Sequence, residues 1–280
     1  MVSIPLPLPL EDSWSDVLGK AMRGAGLDPA KLASMTGLAA TRLDAILSGE
    51  KPEENVLRTL AAALGLRPGP FVELAGGRVH PGPLDAARWP DVHQIPSRYG
   101  DMIVNAWLLG DPASREAIFF DAGADADAAR DTAAAHRLAP SLLCVTHTHG
   151  DHIEALPELV RAFHLRVVAP KGEPLEDALL AEEGAEFAVG ALRARAQLTD
   201  GHSRGHLAWV VTGHPAWPGP VVAVGDAIFA GSMGGGQISY ARLREHLHRK
   251  LLALPSETLL CPGHGPATTV AQELKHNPFA

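Results

Sequence analysis

Residues 142–152 read LLCVTHTHGDH, and this stretch decides how the rest of the chain is interpreted. An apolar run with the composition of a β-strand leads directly into three histidines and one aspartate within six positions. Imidazole and carboxylate groups crowded in this way are costly unless a cation shares them. The stretch therefore predicts a metal site.

The spacing within this stretch predicts how its side chains converge. If the strand extends through Thr148, His147 and His149 lie two positions apart and project to the same side. Gly150 then allows a sharp turn, and Asp151 and His152 lie where a helix, roughly residues 153–163, begins. Two pairs of ligands converging from a strand end and a helix start are enough for two adjacent cations.

The stretch resembles the HxHxDH signature of the metallo-β-lactamase superfamily, and three later segments follow in that family's order. Residues 199–203 (TDGHS) are similar to its TPGHT turn, residues 225–232 (GDAIFAGS) to its GDxLFxGS segment, and residues 262–266 to its PGHGP. The resemblance covers residues 92–280 and is greatest to the glyoxalase II-like branch. It implies an αββα sandwich, which makes the chain an α+β protein.

The resemblance also implies a set of seven ligands for two divalent metal ions. The first metal would be held by His147, His149 and His202, the second by Asp151, His152 and His264, with Asp226 bridging both. Asp151 and Asp226 are the two carboxylates that we assign to catalysis. Neutral imidazole and carboxylate suit zinc, iron and manganese about equally, and the resemblance favours zinc or a mixed zinc–iron pair.

The expected activity is hydrolysis of a small-molecule acyl thioester or a related acyl bond. Two cations about 3.5 to 4 Å apart can share a bridging water, lower its pKa towards neutrality and direct hydroxide at a carbonyl carbon. Two alternatives stay open. One is an iron oxygenase resembling persulfide dioxygenases, using His147, His202 and Asp226; the other is a regulator whose metal domain senses a metabolite. A β-lactamase is not favoured, because Asp226 stands where many such enzymes have a cysteine ligand.

Two further residues near the motifs have expected supporting roles. Asp121 resembles the buried carboxylate that lies beneath the HxHxDH loop in the family, where it would orient a ligating histidine. His206 fills a position that varies in the family, and we expect it to support the site rather than to ligate.

The chain departs from glyoxalase II in two ways that put glutathione specificity in question. Only 16 residues follow His264, so we expect no counterpart here of the helical domain that helps glyoxalase II to hold glutathione. Residues 232–237 read SMGGGQ where related enzymes commonly place an arginine or lysine near the substrate.

Amino-acid composition limits the classes of protein to which the chain can belong. Hydrophobic residues make up 46% and charged residues 20% of the 280, enough for a packed core, and no run of about 18 apolar residues suggests a membrane span. The first ten residues lack the features of a signal peptide, so a cytoplasmic location is expected. Two cysteines form no disulfide framework, and the net charge of −8 argues against broad affinity for nucleic acid.

Four segments are predicted along the chain: a flexible tail (residues 1–10), a small all-helical domain (11–75), a linker rich in glycine and proline (76–91) and the catalytic domain (92–280). Four helices are predicted in the small domain, with caps at Ser13 or Ser15 and at Asp28. The turn at Gly37 and the helix that follows resemble the helix-turn-helix of the Cro and phage-repressor family. Residues 1–75 hold 7 Lys and Arg against 9 Asp and Glu, which favours a protein-interaction or homodimerisation module over DNA binding.

In the catalytic domain the pattern predicts strands alternating with helices. Predicted strands include 142–146, 166–169, 192–198, 207–212 and 221–224, and helices are expected near residues 124–138 and 175–183.

Overall fold

The computed structural model describes residues 4–280 and contains two six-stranded β-sheets with helices on both outer faces. The first sheet has the strands β1 (Val92–Tyr99), β2 (Met102–Gly110), β3 (Glu116–Phe120), β4 (Ala139–Cys144), β5 (Arg166–Pro170) and β6 (Leu179–Ala181), side by side in that order. The second has β7 (Glu186–Val189), β8 (Leu192–Leu198), β9 (Leu207–Thr212), β10 (Val221–Gly225), β11 (Leu259–Pro262) and β12 (Thr268–Thr269), also in chain order. The predicted α+β fold class with two sheets is confirmed.

The helices fall into an amino-terminal group and a group distributed around the sheets. The amino-terminal helices are α1 (Trp14–Gly24), α2 (Pro29–Thr36), α3 (Ala40–Leu47), α4 (Glu54–Ala63) and α5 (Pro68–Ala75). The others are α6 (Ala126–Ala135), α7 (Gly150–Ile153), α8 (Leu156–Phe163), α9 (Tyr240–His246), which continues into a π-helical segment (Leu247–Leu251), and α10 (Val270–His276). None of the helices within residues 4–280 has both the length and the apolar character needed to cross a membrane.

The core between the sheets follows from alternating side chains. In β8, Leu192, Ala194 and Ala196 are buried while the arginines between them are exposed, as expected of a strand with one face on the core. Trp107 from the first sheet and Trp209 from the second are both almost fully buried in this layer. Cys144 and Cys261 lie in the same layer as buried free thiols.

The two outer faces of the sandwich are covered differently. Helices α6 and α8 cover the first sheet through small and aliphatic side chains. The second sheet is covered by α9, the π-helical segment and α10, and the amino-terminal helices pack into this same layer. Leu18 of α1, Phe71 of α5 and Leu247 belong to one hydrophobic cluster. The helical segment 11–75 therefore shares its core with the sandwich.

Local sequence explains where the amino-terminal helices begin and end. Ser13 caps α1 in a capping box with Asp16, and the Asp28 side chain caps α2. Gly37 ends α2 with φ 69°, a left-handed conformation that favours glycine. These caps are as predicted. The fifth helix, α5, adds to the four that the sequence predicted.

Three expectations from the sequence need correction. The helix predicted near residues 175–183 is wrong, because this segment forms turns and the short strand β6. The predicted strand 142–146 ends at Cys144, so His147 and His149 lie in a loop rather than on a strand. Part of the predicted tail, residues 1–3, lies outside the described residues; within the rest, Leu8 is buried.

Candidate metal centre

Three imidazole nitrogens from two loops meet in the first half of the site. His147 Nε2 lies 3.1 Å from His149 Nδ1, which in turn lies 3.1 Å from His202 Nε2. The first two residues follow β4, and the third lies between β8 and β9. Imidazole nitrogen is a ligand for zinc and iron, so these three facing nitrogens could hold one divalent cation.

A group rich in carboxylates forms the second half. Asp151 Oδ2 lies 3.2 Å from His264 Nε2 and 3.5 Å from His152 Nε2. Asp226 contacts both halves: its Oδ2 lies 3.5 Å from the Nε2 atoms of His202 and His264. Its Oδ1 lies 3.3 Å from His152 Nε2. The structure thus brings together all seven side chains that the sequence predicted, with Asp226 between the two halves.

Two buried polar atoms at the centre are better suited to binding a cation than to contacting each other. Within residues 4–280, neither His152 Nε2 nor Asp226 Oδ1 has a hydrogen-bond partner. Buried polar atoms without partners are costly, and a cation between them would satisfy both. The packing leaves no room for a side chain there, because a Cβ on Gly263 would lie 2.3 Å from Asp226 Oδ1. The donor set therefore fits a pair of divalent cations.

Asp121 fixes the orientation of one imidazole. Its Oδ2 accepts hydrogen bonds from His152 Nδ1 at 2.9 Å and from the Thr146 hydroxyl at 2.8 Å. Its Oδ1 accepts a hydrogen bond from the Thr146 backbone N–H at 2.7 Å. Because Nδ1 of His152 donates to Asp121, its Nε2 is the ring nitrogen that faces the site. The contacts agree with the orienting role predicted for Asp121.

His206 supports the site without reaching its centre. Its Nε2 accepts a hydrogen bond from the backbone N–H of Asp226 at 3.1 Å, and its Nδ1 lies 2.8 Å from the Thr199 hydroxyl. Burial lowers the pKa of His206 to about 3, so the ring is neutral at physiological pH. His206 thus positions the Asp226 backbone.

The two halves of the site differ in their electrostatics. In the first, burial holds the pKa values of His147 and His202 below their usual range, which leaves neutral imidazoles with free lone pairs. In the second, burial opposes protonation, but Asp226 and neighbouring carboxylates outweigh it. They raise the pKa of His152 to about 10 and that of His264 to about 11. Burial would raise the pKa of Asp226, yet those two imidazoles keep it well below its usual value.

Two buried tryptophans connect each sheet to the ligand loop of the other. Trp107 in β2 donates its indole N–H to the carbonyl of Pro262, two residues before His264. Trp209 in β9 donates to the carbonyl of Val145, two residues before His147. Each of these bonds is 3.0 Å long. The position of each ligand loop is therefore coupled to packing between the sheets.

The carboxyl-terminal ligand loop is also held by polar side chains. The Asn105 side-chain amide donates to the carbonyls of Pro262 and Gly265 at 3.0 and 2.9 Å. His264 Nδ1 donates to the Ile103 carbonyl at 2.7 Å, which leaves its Nε2 directed at the carboxylates.

Sequence reasoning missed several residues at the border of the site. Glu173 joins two ligand loops, since its carboxylate accepts hydrogen bonds from the backbone N–H groups of Thr148 at 2.9 Å and Gly205 at 2.6 Å. Asp12, just before α1, and Lys20 in α1 contact Ser232 and Met233, which follow Asp226 in the chain. No local motif marks these residues, because their partners are distant in sequence.

Comparison with known proteins agrees with this geometry. The sequence profile of the metallo-β-lactamase superfamily matches residues 99–264. A hydroxyacylglutathione hydrolase of Fuscovulum blasticum is 38% identical over 167 residues, which are 57% of this chain and 61% of that relative. The chain thus spans about three fifths of that relative's length.

Two solved structures share the fold. BLEG-1, described as a B3 metallo-β-lactamase, has a TM-score of 0.58 and 30% identity, covering 67% of this chain and 98% of its own. ETHE1 from Myxococcus xanthus has a TM-score of 0.57 and 27% identity, covering 67% of this chain and 83% of its own.

Proposed function

Because the chain belongs to the metallo-β-lactamase superfamily, we propose that it is a metal-dependent hydrolase of a small acyl thioester. The observation that carries the proposal is the convergence of seven histidine and aspartate side chains around two buried atoms that lack hydrogen-bond partners. The hydroxyacylglutathione hydrolase relative supports the thioester as the substrate class.

The proposed ligands divide between the two halves of the site. His147, His149 and His202 would hold one divalent ion, Asp151, His152 and His264 the other, and Asp226 would bridge them. We favour zinc, with iron or manganese as the alternatives. When bound, such a pair would lower the pKa of a shared water towards neutrality and polarise the acyl carbonyl.

The protein's own groups prepare the site for that chemistry. The low pKa of the buried His147 keeps its lone pair available. Although burial opposes ionisation, the hydrogen bond from His264 lowers the pKa of Asp151 and keeps the carboxylate charged at neutral pH. Asp121 and His206 hold His152 and the Asp226 backbone in place, so the donors are arranged before any ligand arrives.

Asp226 offers the most direct test. Asp226→Asn keeps the side-chain volume but removes the charge, and should lower kcat for a hydroxyacylglutathione ester by about 10²- to 10³-fold. Metal analysis of the same preparation should show fewer than two ions per chain. The matched control is Asp131→Asn on the exposed face of α6. Turnover that survives Asp226→Asn would show that the bridging role is wrong.

An iron oxygenase is the second candidate, supported by the similarity to ETHE1 and by the approach of His202 to Asp226. It predicts one iron per chain and oxygen uptake on glutathione persulfide, whereas the hydrolase predicts two ions and release of a free thiol from the thioester. Both assays belong in one panel with a β-lactam, because BLEG-1 shares the fold. Oxygen uptake without thioester turnover would replace the proposed hydrolase.

A further inference from the structure

The glycine-rich segment after Asp226 forms one wall of a groove beside the metal centre. Residues 233–237 follow the turn that begins at Asp226, and the Gly235 carbonyl lies 3.0 Å from His202 Nδ1. Residues 235–240 line a cavity of about 400 Å³. The sequence places no charged side chain on this wall.

The opposite wall of the groove comes from α1 of the helical segment 11–75, the amino-terminal module. Lys20, Arg23 and Gly24 line it. The contact between the walls is close, because a Cβ on Gly24 would lie 2.2 Å from the Tyr240 ring. The buried face of α1, including Leu18, packs in the same hydrophobic cluster as Leu243. Helix α1 is therefore a fixed part of the groove.

Lys20 joins this wall to the turn that follows Asp226. Its Nζ donates to Asp12 Oδ2 at 2.5 Å and to the Met233 carbonyl at 2.9 Å. Asp12 also accepts a hydrogen bond from the Ser232 hydroxyl at 2.5 Å. The ammonium lies 5.0 Å from the centre of the Phe229 ring. That ring lies 5.7 Å from His264 between centroids. Asp12 balances the charge of Lys20.

Arg23 contributes a second positive charge to the groove, besides that of Lys20. It is exposed, and within residues 4–280 it forms no ion pair with a carboxylate. With Lys20 and Asp12 cancelling, the groove carries a net charge of +1 in a chain whose net charge is −8. Glu11 lines a different groove with residues 101–103.

We propose that this groove binds a carboxylate of the substrate's thiol carrier, with Arg23 as the contact and Lys20 as its neighbour. The proposal rests on the proposed thioesterase function and assigns substrate specificity to the amino-terminal module. A guanidinium group matches a carboxylate with two parallel hydrogen bonds, which a backbone of glycines cannot provide. The module thus supplies the charge that residues 232–237 lack.

The kinetic test compares two esters that carry the same hydroxyacyl group. One is formed on glutathione, which has two carboxylates, and the other on N-acetylcysteamine, which has none. Arg23→Gln should lower the ratio of kcat/KM between the charged and the neutral ester by about tenfold, mainly through KM. Arg23→Glu should lower it further, and Arg23→Lys should restore part of it. The matched control is Arg58→Gln on α4, where Arg58 pairs with Glu54.

A binding measurement separates this proposal from the proposed function. S-methylglutathione, which cannot be hydrolysed as a thioester, should bind the metal-loaded protein in calorimetry and bind Arg23→Gln about tenfold more weakly. Equal losses on both esters, or equal binding by the wild type and Arg23→Gln, would overturn the subsite. Binding that depends on Arg23 without any turnover would retain the subsite and reject the thioesterase.

Discussion

The metal centre and the amino-terminal module differ in how their residues are connected. At the centre, each half of the ligand set comes from short motifs, and the side chains face one another within 3.1 to 3.5 Å. The module instead touches the site through single residues, such as Lys20 and Asp12, whose partners lie more than 200 positions away. Local chemistry therefore identifies the centre, whereas only tertiary packing reveals the module's part in it.

The largest expected effect tests whether the module is independent. Leu18 is fully buried in the cluster shared by the helices and the second sheet. Leu18→Ala should lower the free energy of unfolding by about 2–5 kcal/mol, because it removes buried methyl groups and leaves a cavity. Since the core is shared, helix and tertiary signals should be lost in one thermal transition. Two separate transitions, with only the first shifted, would show that the module folds alone.

Glu273 tests the connection between α10 and the loop after Asp226. The Glu273 carboxylate accepts hydrogen bonds from the Gly231 N–H at 2.9 Å, the Asn277 side chain at 2.7 Å and the Thr268 hydroxyl at 2.6 Å. Burial outweighs these donors and raises its pKa from 4.5 to about 7. The stability that the protonated Glu273 side chain contributes is complete below the pKa of Glu273 in the unfolded state. It is lost as the pH rises through the pKa of Glu273 in the folded state.

Between pH 5 and pH 8 the wild type should therefore lose about 2–3 kcal/mol of stability relative to Glu273→Gln. The amide of Glu273→Gln can replace the protonated carboxyl group. If the Thr268 hydroxyl loses its acceptor at position 273, it can turn towards Gln272 Oε1, which lies 3.2 Å away. Denaturant unfolding of both proteins at the two pH values measures the difference. Parallel pH dependence in the two proteins would exclude this titration.

A matched pair of tryptophans tests how closely the ligand loops depend on sheet packing. Trp209→Phe removes the bond to Val145, beside the ligand loop, and should lower kcat by about 10- to 100-fold, in line with losses of supporting contacts around metals. Trp217 donates to Pro90 at 2.8 Å, away from the site. Trp217→Phe should leave kcat unchanged. Equal effects of both variants would attribute the loss to general destabilisation.

The sequence predicted the candidate metal centre better than it predicted the contacts of the amino-terminal module. The convergence of the seven side chains was predictable because two histidines two apart, a glycine and an Asp-His pair determine a local turn, and the later motifs repeat the family's order. The strand end at Cys144 and strand β6 were not, because short apolar runs do not distinguish a strand from a helix or a loop. The position of Lys20 and Arg23 beside residues 235–240 could not be predicted, since nothing in the sequence of α1 indicates that it faces that segment.

The smallest expected effect concerns Arg42 in α3, the helix that resembles a recognition helix. Its guanidinium pairs with Glu50 and lies 3.2 Å from Glu53, so both carboxylates compete with any phosphate. Arg42→Gln should shift the melting temperature by only about 1–2 °C, because exposed ion pairs contribute little. Neither the wild type nor the variant should retard a DNA duplex in a mobility-shift assay at low salt. A mobility shift seen with the wild type and lost in Arg42→Gln would show that the module binds DNA through α3. The contact between the module and the metal centre would then suggest regulation of one by the other.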